Sequence, residues 1–132
     1  NGLRSLKGGL TLPEYCCYSG HELNQEKKRA ADLLQTSMIE SKAALFKILG
    51  DCNRLKIIEL LMNYDKLCVF EIAKLIDVSI ATTSHHLITL KNYQIIHSHK
   101  EGKHVIYSLN NPLITDLIEL ANRVDIPLNG CL

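Results

Sequence analysis

A mainly α-helical domain with one small β-hairpin is the fold class that this sequence predicts, and three features predict it. Residues 66–90, KLCVFEIAKLIDVSIATTSHHLITL, divide into two short amphipathic helices around Asp77-Val78. Residues 95–99 and 104–109 turn to β-branched and aromatic residues on either side of Lys100-Glu101-Gly102-Lys103, which is a hairpin pattern. Elsewhere apolar residues recur mostly at three- and four-residue spacing, the period of helices with one buried stripe. Two short helices followed by a basic hairpin make a winged helix-turn-helix.

Length and composition bound the rest. A chain of 132 residues is one domain with a core of its own. Hydrophobic residues at 46% and charged residues at 22% are those of a globular protein. No run of 18 apolar residues is present, which excludes a membrane-spanning helix. The first residues lack the apolar centre of a secretory signal, so a cytoplasmic location is expected. The cysteines, Cys16, Cys17, Cys52, Cys68 and Cys131, are odd in number and two are adjacent. That is a poor disulfide framework, and reduced thiols are expected instead.

In chain order, residues 1–21 carry Gly2, Gly8, Gly9 and Pro13 and are expected as a mobile arm. Cys17 and His21 share one side if a helix begins there. Residues 22–126 form the domain. Its first helix spans 22–36 with Leu23, Ala30, Leu33 and Leu34 as the stripe, and its second spans 38–49. Gly50 stops that helix and Asp51 caps a third over 52–62, apolar enough to lie in the core, with Cys52 as a small packed residue. After the hairpin, Asn110 or Asn111 caps a last helix with Pro112 in its first turn. Leu113, Leu117, Leu120, Ala121 and Val124 make its stripe, and residues 127–132 are a tail. A terminal apolar helix on a complete core packs best against a second copy, so Leu33, Leu34, Leu113, Leu117, Leu120 and Val124 are expected at a homodimer interface.

The helix over 79–91 carries the DNA expectation. Ser79 caps it, Ile80, Leu87 and Leu90 point inward, and Thr82, Thr83, His85, His86 and Thr89 point outward. Short hydrogen-bonding side chains without a carboxylate suit the major groove. With Ser84 they are the candidate base-reading set. Net charge is only +1, yet from Ser79 to Leu109 Lys91, Lys100 and Lys103 face a single acid, Glu101. Those lysines are expected along phosphate. One turn apart, just ahead of this helix, sit Cys68 and Glu71, a candidate metal-ligand pair. No phosphate-cradling glycine loop and no nucleophile–base pairing is present, so an enzyme is not expected.

Leu67-Cys68-Val69-Phe70-Glu71-Ile72-Ala73, then Ser84-His85-His86-Leu87-x-x-Leu90, then Glu101-Gly102-Lys103 and Tyr107-Ser108-Leu109 resemble the ArsR/SmtB family of metal-responsive repressors, most of all its CadC/SmtB branch. The resemblance covers roughly residues 38–123. It implies metal ligands Cys68 and Glu71 joined by Cys17 and His21 from an arm of the other protomer. Where CadC-like and arsenic-sensing relatives have Cys-Val-Cys, this chain has Phe70, which argues against an all-thiolate arsenite site. Cys16 is a possible third thiolate and would favour Cd²⁺ or Pb²⁺ over Zn²⁺. The positions of a second family site, Asn111, Leu113, Val124 and Pro127, hold no ligand, so that site is expected to be absent.

The resemblance implies a repressor whose apo dimer binds double-stranded operator DNA and is released by a soft divalent metal, Zn²⁺, Cd²⁺ or Pb²⁺, as allosteric effector. Metal efflux or resistance genes would then be derepressed. Four alternatives stand beside it: a winged-helix regulator responding to thiol oxidation, a DNA-binding regulator independent of metal, a metal buffer without DNA, and a pure dimerisation module.

Overall fold

The computed structural model describes residues 3–5, 11–13 and 19–127, and the chain divides into two units, residues 1–43 and 44–132. In the first, β1 (Leu3–Ser5) and β2 (Thr11–Pro13) pair antiparallel, with Leu3 opposite Pro13 and Ser5 opposite Thr11. The segment expected as an arm therefore contains a short hairpin sheet. Helix α1 (Gly20–Thr36) begins in a capping box: Ser19 Oγ accepts the Glu22 N–H, and Glu22 Oε2 accepts the Ser19 N–H at 3.1 Å. None of its residues is buried. Met38, at φ 54°, turns the chain into α2 (Ile39–Leu49), which crosses the unit boundary.

The second unit holds α3 (Cys52–Asn63), β3 (Leu67–Cys68), α4 (Val69–Ile76), α5 (Ile80–Asn92), β4 (Ile96–Glu101), β5 (His104–Leu109) and α6 (Pro112–Ala121). The three strands form an antiparallel sheet in the order β3-β5-β4. Asp51 caps α3 through the Arg54 N–H, Ser79 caps α5 through the Thr82 N–H, and Asn111 caps α6 through the Leu113 N–H. Asp77 ends α4 in the left-handed conformation at φ 58°, and Gly102 takes φ 62° in the two-residue turn of the hairpin. These are the caps and breaks expected from the sequence.

One apolar core binds the unit. Ile57, Ile58, Ile72, Leu87, Leu90 and Ile96 are fully buried, with Leu61, Leu67, Ile76, Ile114 and Ile118 around them. Three expectations need correction. Ile80 is exposed, because the first turn of α5 stands clear of the core. Helix α6 ends at Ala121, short of Val124, and turns Ile114 and Ile118 into its own core instead of serving only a partner. Cys52, half-buried at the start of α3, is disulfide-bonded and not a packed thiol. Strand β3 was not expected; two residues between a turn and a helix carry no alternation to read.

Candidate metal centre and nucleic-acid interface

Cys68 stands where three elements meet. It ends β3, pairs with Ile106 of β5, and is the N-cap of α4. It is a free, half-buried thiol. Its backbone N–H donates to Glu71 Oε1 at 2.9 Å, so the carboxylate folds back over the helix start. That backbone hydrogen bond, then the Cys68 side chain, with the more distant His104, hold the Glu71 carboxyl below its ordinary value against a small opposing effect of burial. The helix terminus favours negative charge at Glu71. A thiol and a carboxylate thus share one end of α4, one short helix ahead of α5.

These two donors fit a borderline or soft dication: sulfur supplies affinity for such ions, and the carboxylate keeps unused lone pairs beside its one hydrogen bond. Among the described residues, no group of three or more such side chains is assembled for metal. His21, the second residue of α1, is exposed, with Nε2 3.3 Å from Gln25 Nε2. Cys16 and Cys17 lie outside the described residues. Phe70, in the place of a second thiolate, lies on the surface with Lys74 Nζ 5.9 Å from its ring centroid. It contributes a cation–π contact and no ligand.

Helix α5 presents a narrower outward face than the sequence suggested. Thr82 and His85 are exposed, Ser84 and Thr89 half-buried, and Lys91 exposed near the C-terminal end. Thr83, at 0% exposure, and His86, at 8%, face inward. The assignment of Thr83 and His86 to base reading is therefore corrected. Both belong to the row that runs on to Leu87 and Leu90, and a polar residue on a buried row looks from sequence like one on an exposed row. The exposed row instead includes Ile88, which periodicity alone places with the core. An apolar side chain there can meet a thymine methyl.

His86 has a structural partner. Its Nδ1 accepts from Arg54 Nε at 3.3 Å, and its Nε2 lies 4.0 Å from Asp51 Oδ1. Arg54 also donates to the Ile48 carbonyl at 3.2 Å. Burial pushes the Asp51 carboxyl up, but the Arg54 backbone N–H, the His86 ring and the Arg54 guanidinium together hold it below the ordinary carboxylate value. This network ties α5 to the end of α2 and the start of α3. His86→Ala is expected to lower stability by about 1–3 kcal/mol by leaving Arg54 short of a partner. Denaturant unfolding checks it, and an unchanged midpoint would mean that the network holds nothing.

The hairpin is basic at its tip. Lys100 and Lys103 are exposed, while Lys66 Nζ reaches back to Glu101 Oε1 at 2.8 Å. The hydrogen bond from Lys66, then the one from His99, hold the Glu101 carboxyl below its ordinary value; Glu101 in turn holds the Lys66 ammonium above its own.

A profile described as bacterial regulatory protein, arsR family, matches residues 51–98, from the cap of α3 into β4. The cadmium resistance transcriptional regulatory protein CadC of Listeria innocua is 44% identical over 107 residues, 81% of this chain and 87% of that protein. A CadC homolog of Staphylococcus aureus is 41% identical over 76% of this chain and 79% of its own length. Among solved structures, the transcriptional repressor PagR of Bacillus anthracis superposes with a TM-score of 0.58 at 29% identity, over 66% of this chain and 99% of that one. The helix-turn-helix and hairpin geometry and these identities agree. The chain belongs to the ArsR family of bacterial regulatory proteins.

Proposed function

We propose that the chain is a metal-responsive transcriptional repressor, binding operator DNA as an apo homodimer and released by a soft divalent cation. The observation that carries this is the free Cys68 thiol beside Glu71, at the start of the helix that leads into α5. Its similarity to proteins named for cadmium resistance makes Cd²⁺ the first cation to test, with Zn²⁺ and Pb²⁺ beside it. Cys68 and Glu71 would hold the ion from the winged-helix side, and Cys17 and His21, with Cys16 as a possible third thiolate, from a partner's arm. When bound, the dication supplies a positive charge and a coordination shell that holds these donors together. Glu71 would offer the ion its carboxylate while accepting the Cys68 N–H, at the start of the helix that leads through the Asp77 break into α5. A coupling of about 1–3 kcal/mol, roughly 5- to 150-fold in operator affinity, is typical of such linkage.

In the DNA complex, Thr82, Ser84, His85 and Thr89 would face base edges, with Ser79 at the helix N-terminus and Lys91, Lys100 and Lys103 along phosphate. Leu33, Leu34, Leu113, Leu120 and Val124 are exposed and would be covered in a homodimer, with Leu117 at the margin between interface and core. A cytoplasmic location follows from this work on DNA. The regulated genes would be those for metal efflux or resistance.

The test is a gel shift on the DNA upstream of the chain's own gene, with Cd²⁺, Zn²⁺, Pb²⁺ and arsenite titrated separately. Release by Cd²⁺ at lower concentration than by arsenite is expected. On the same DNA, Thr82→Ala or His85→Ala is expected to cost about 1–3 kcal/mol of specific affinity. Lys103→Ala should weaken all sequences alike and lower the salt slope by about one. Affinity unchanged in all three variants would move the reading surface off α5. A second reading, response to thiol oxidation, has one observation in its favour, the disulfide at Cys52. Peroxide in place of metal separates the two, since Cys52→Ser would silence an oxidant response and spare a cadmium response.

A further inference from the structure

Helix α5 places four side chains directly opposite the core. Successive residues of an α-helix turn by about 100°, so Ala81, His85, Ile88 and Asn92 stack along one line. That line faces away from Thr83, His86, Leu87 and Leu90, which are buried. All four of its members are exposed, Ile88 at 58%. Thr82 and Thr89 flank the line on one side, and Ser84 and Lys91 on the other. Thr89 spends its hydroxyl proton on the His85 carbonyl at 3.2 Å, which leaves it an acceptor only. Ile80 is exposed as well, but it lies toward α4 and lines a groove with Phe70 and Lys74. Residues 80–92 contain no acid, and their one lysine, Lys91, stands off the centre line. A helix face meant for water carries charged and polar residues at its centre. This one carries an alanine and an isoleucine there.

Resting on the reading of α5 as the DNA-reading helix, we propose that Ala81 and Ile88 recognise the C5-methyl groups of two thymines in each half-site. The thymine methyl is the apolar feature that a base edge presents in the major groove. An apolar side chain at the centre of a reading face selects it over cytosine, which presents an amino donor. Seven residues at about 1.5 Å rise separate Ala81 from Ile88 by roughly 10 Å, or about three base-pair steps of roughly 3.4 Å. His85 lies between them, about two steps from Ala81 and about one from Ile88, and offers its ring to a polar edge. Lys91, Lys100 and Lys103, all exposed in the same unit, supply the positive charge that brings such a face to DNA. Phosphate contacts fix position but carry no sequence information, which the two methyl contacts add. Burying one methyl changes affinity by about fourfold.

The experiment uses the full chain and the DNA upstream of its own gene, with each thymine in turn replaced by uracil. The exchange removes the methyl and keeps the O4 acceptor and the base pairing. Fluorescence anisotropy of the labelled duplexes gives each affinity, for the unaltered chain and for Ile88→Ala. In the unaltered chain, two thymines per half-site, about three base pairs apart, are expected to lose about fourfold each on exchange. In Ile88→Ala one of the two should lose its sensitivity while the other keeps it. Ala81→Gly should do the converse. Thermal unfolding and sedimentation of Ile88→Ala should match the unaltered chain, since the side chain is exposed. Uracil tolerated at every thymine by a chain that binds the unmodified DNA would overturn the proposal and leave the repressor reading standing. So would methyl sensitivity unchanged in Ile88→Ala, or a loss of dimer in that variant, which would place Ile88 at an assembly surface. Absence of specific binding to the unmodified DNA would overturn the repressor reading and this inference together.

Discussion

Cys68→Ser is expected to leave the apo protein on its operator and to abolish release by Cd²⁺. The variant is clean for a structural reason. Cys68 is the N-cap of α4, with backbone angles of φ −88° and ψ 167°. Serine is a preferred residue at that position, because its hydroxyl accepts an N–H of the first turn. The change therefore keeps or strengthens the helix start while removing the soft donor. Glu71 still accepts the N–H of residue 68, and nothing on the outward face of α5 is touched. What disappears is the sulfur that gives a soft dication its affinity, and with it a coupling of about 1–3 kcal/mol per site. Fluorescence anisotropy of labelled operator with Cd²⁺ titrated in measures the loss directly. The ultraviolet thiolate-to-cadmium band in the same samples counts the remaining sulfurs. Its fall on Cys16→Ser in the otherwise unchanged chain would bring Cys16 into the shell. Operator release by Cys68→Ser at the cadmium concentration that releases the unaltered protein would place the sensing site elsewhere.

The helices, their caps and the hairpin were legible because each has a local cause. Asp51, Ser79 and Asn111 are short side chains ahead of apolar periods, and all three cap. Gly102 sits in the turn where φ is positive. The Cys68–Glu71 pairing was legible too, since a three-residue step on a helix brings two side chains together. What stayed hidden depends on contacts made across the fold. Thr83 and His86 are short or polar, and periodicity sorts residues only when the inward ones are apolar. His86 is inward because Arg54, 32 residues earlier, supplies its hydrogen bond. Thr83 Oγ1 is buried with no hydrogen-bond partner among the described residues. Ile88 went unnoticed for the converse reason, an apolar side chain on the wet side of a helix. The histidines of the hairpin were visible as a count, but their common face follows only from the register of β4 on β5.

Leu120→Glu is expected to yield a folded monomer that has lost most of its operator affinity. Helix α6 has two apolar faces with different employment. Ile114 and Ile118 lie in the chain's own core at 6% and 7% exposure, while Leu113 and Leu120 stand at 66% and 56%. Large apolar side chains exposed along one side of a short helix mark a surface awaiting a partner. A second copy would supply the same surface about a two-fold axis and would pair the two α5 helices for two half-sites. Glutamate at residue 120 removes a leucine from that seam, about 2 kcal/mol, and leaves an unpaired carboxylate in its place. The dimer constant should weaken by more than about 30-fold from the first effect alone. Leu117→Glu is less informative, since Leu117 packs partly against the core and the change would also lower stability. Sedimentation velocity at micromolar protein distinguishes the species, and thermal unfolding of Leu120→Glu should stay close to that of the unaltered chain. An intact dimer in Leu120→Glu would move the interface off α6. A monomer that binds the operator as tightly as the dimer would separate DNA recognition from assembly.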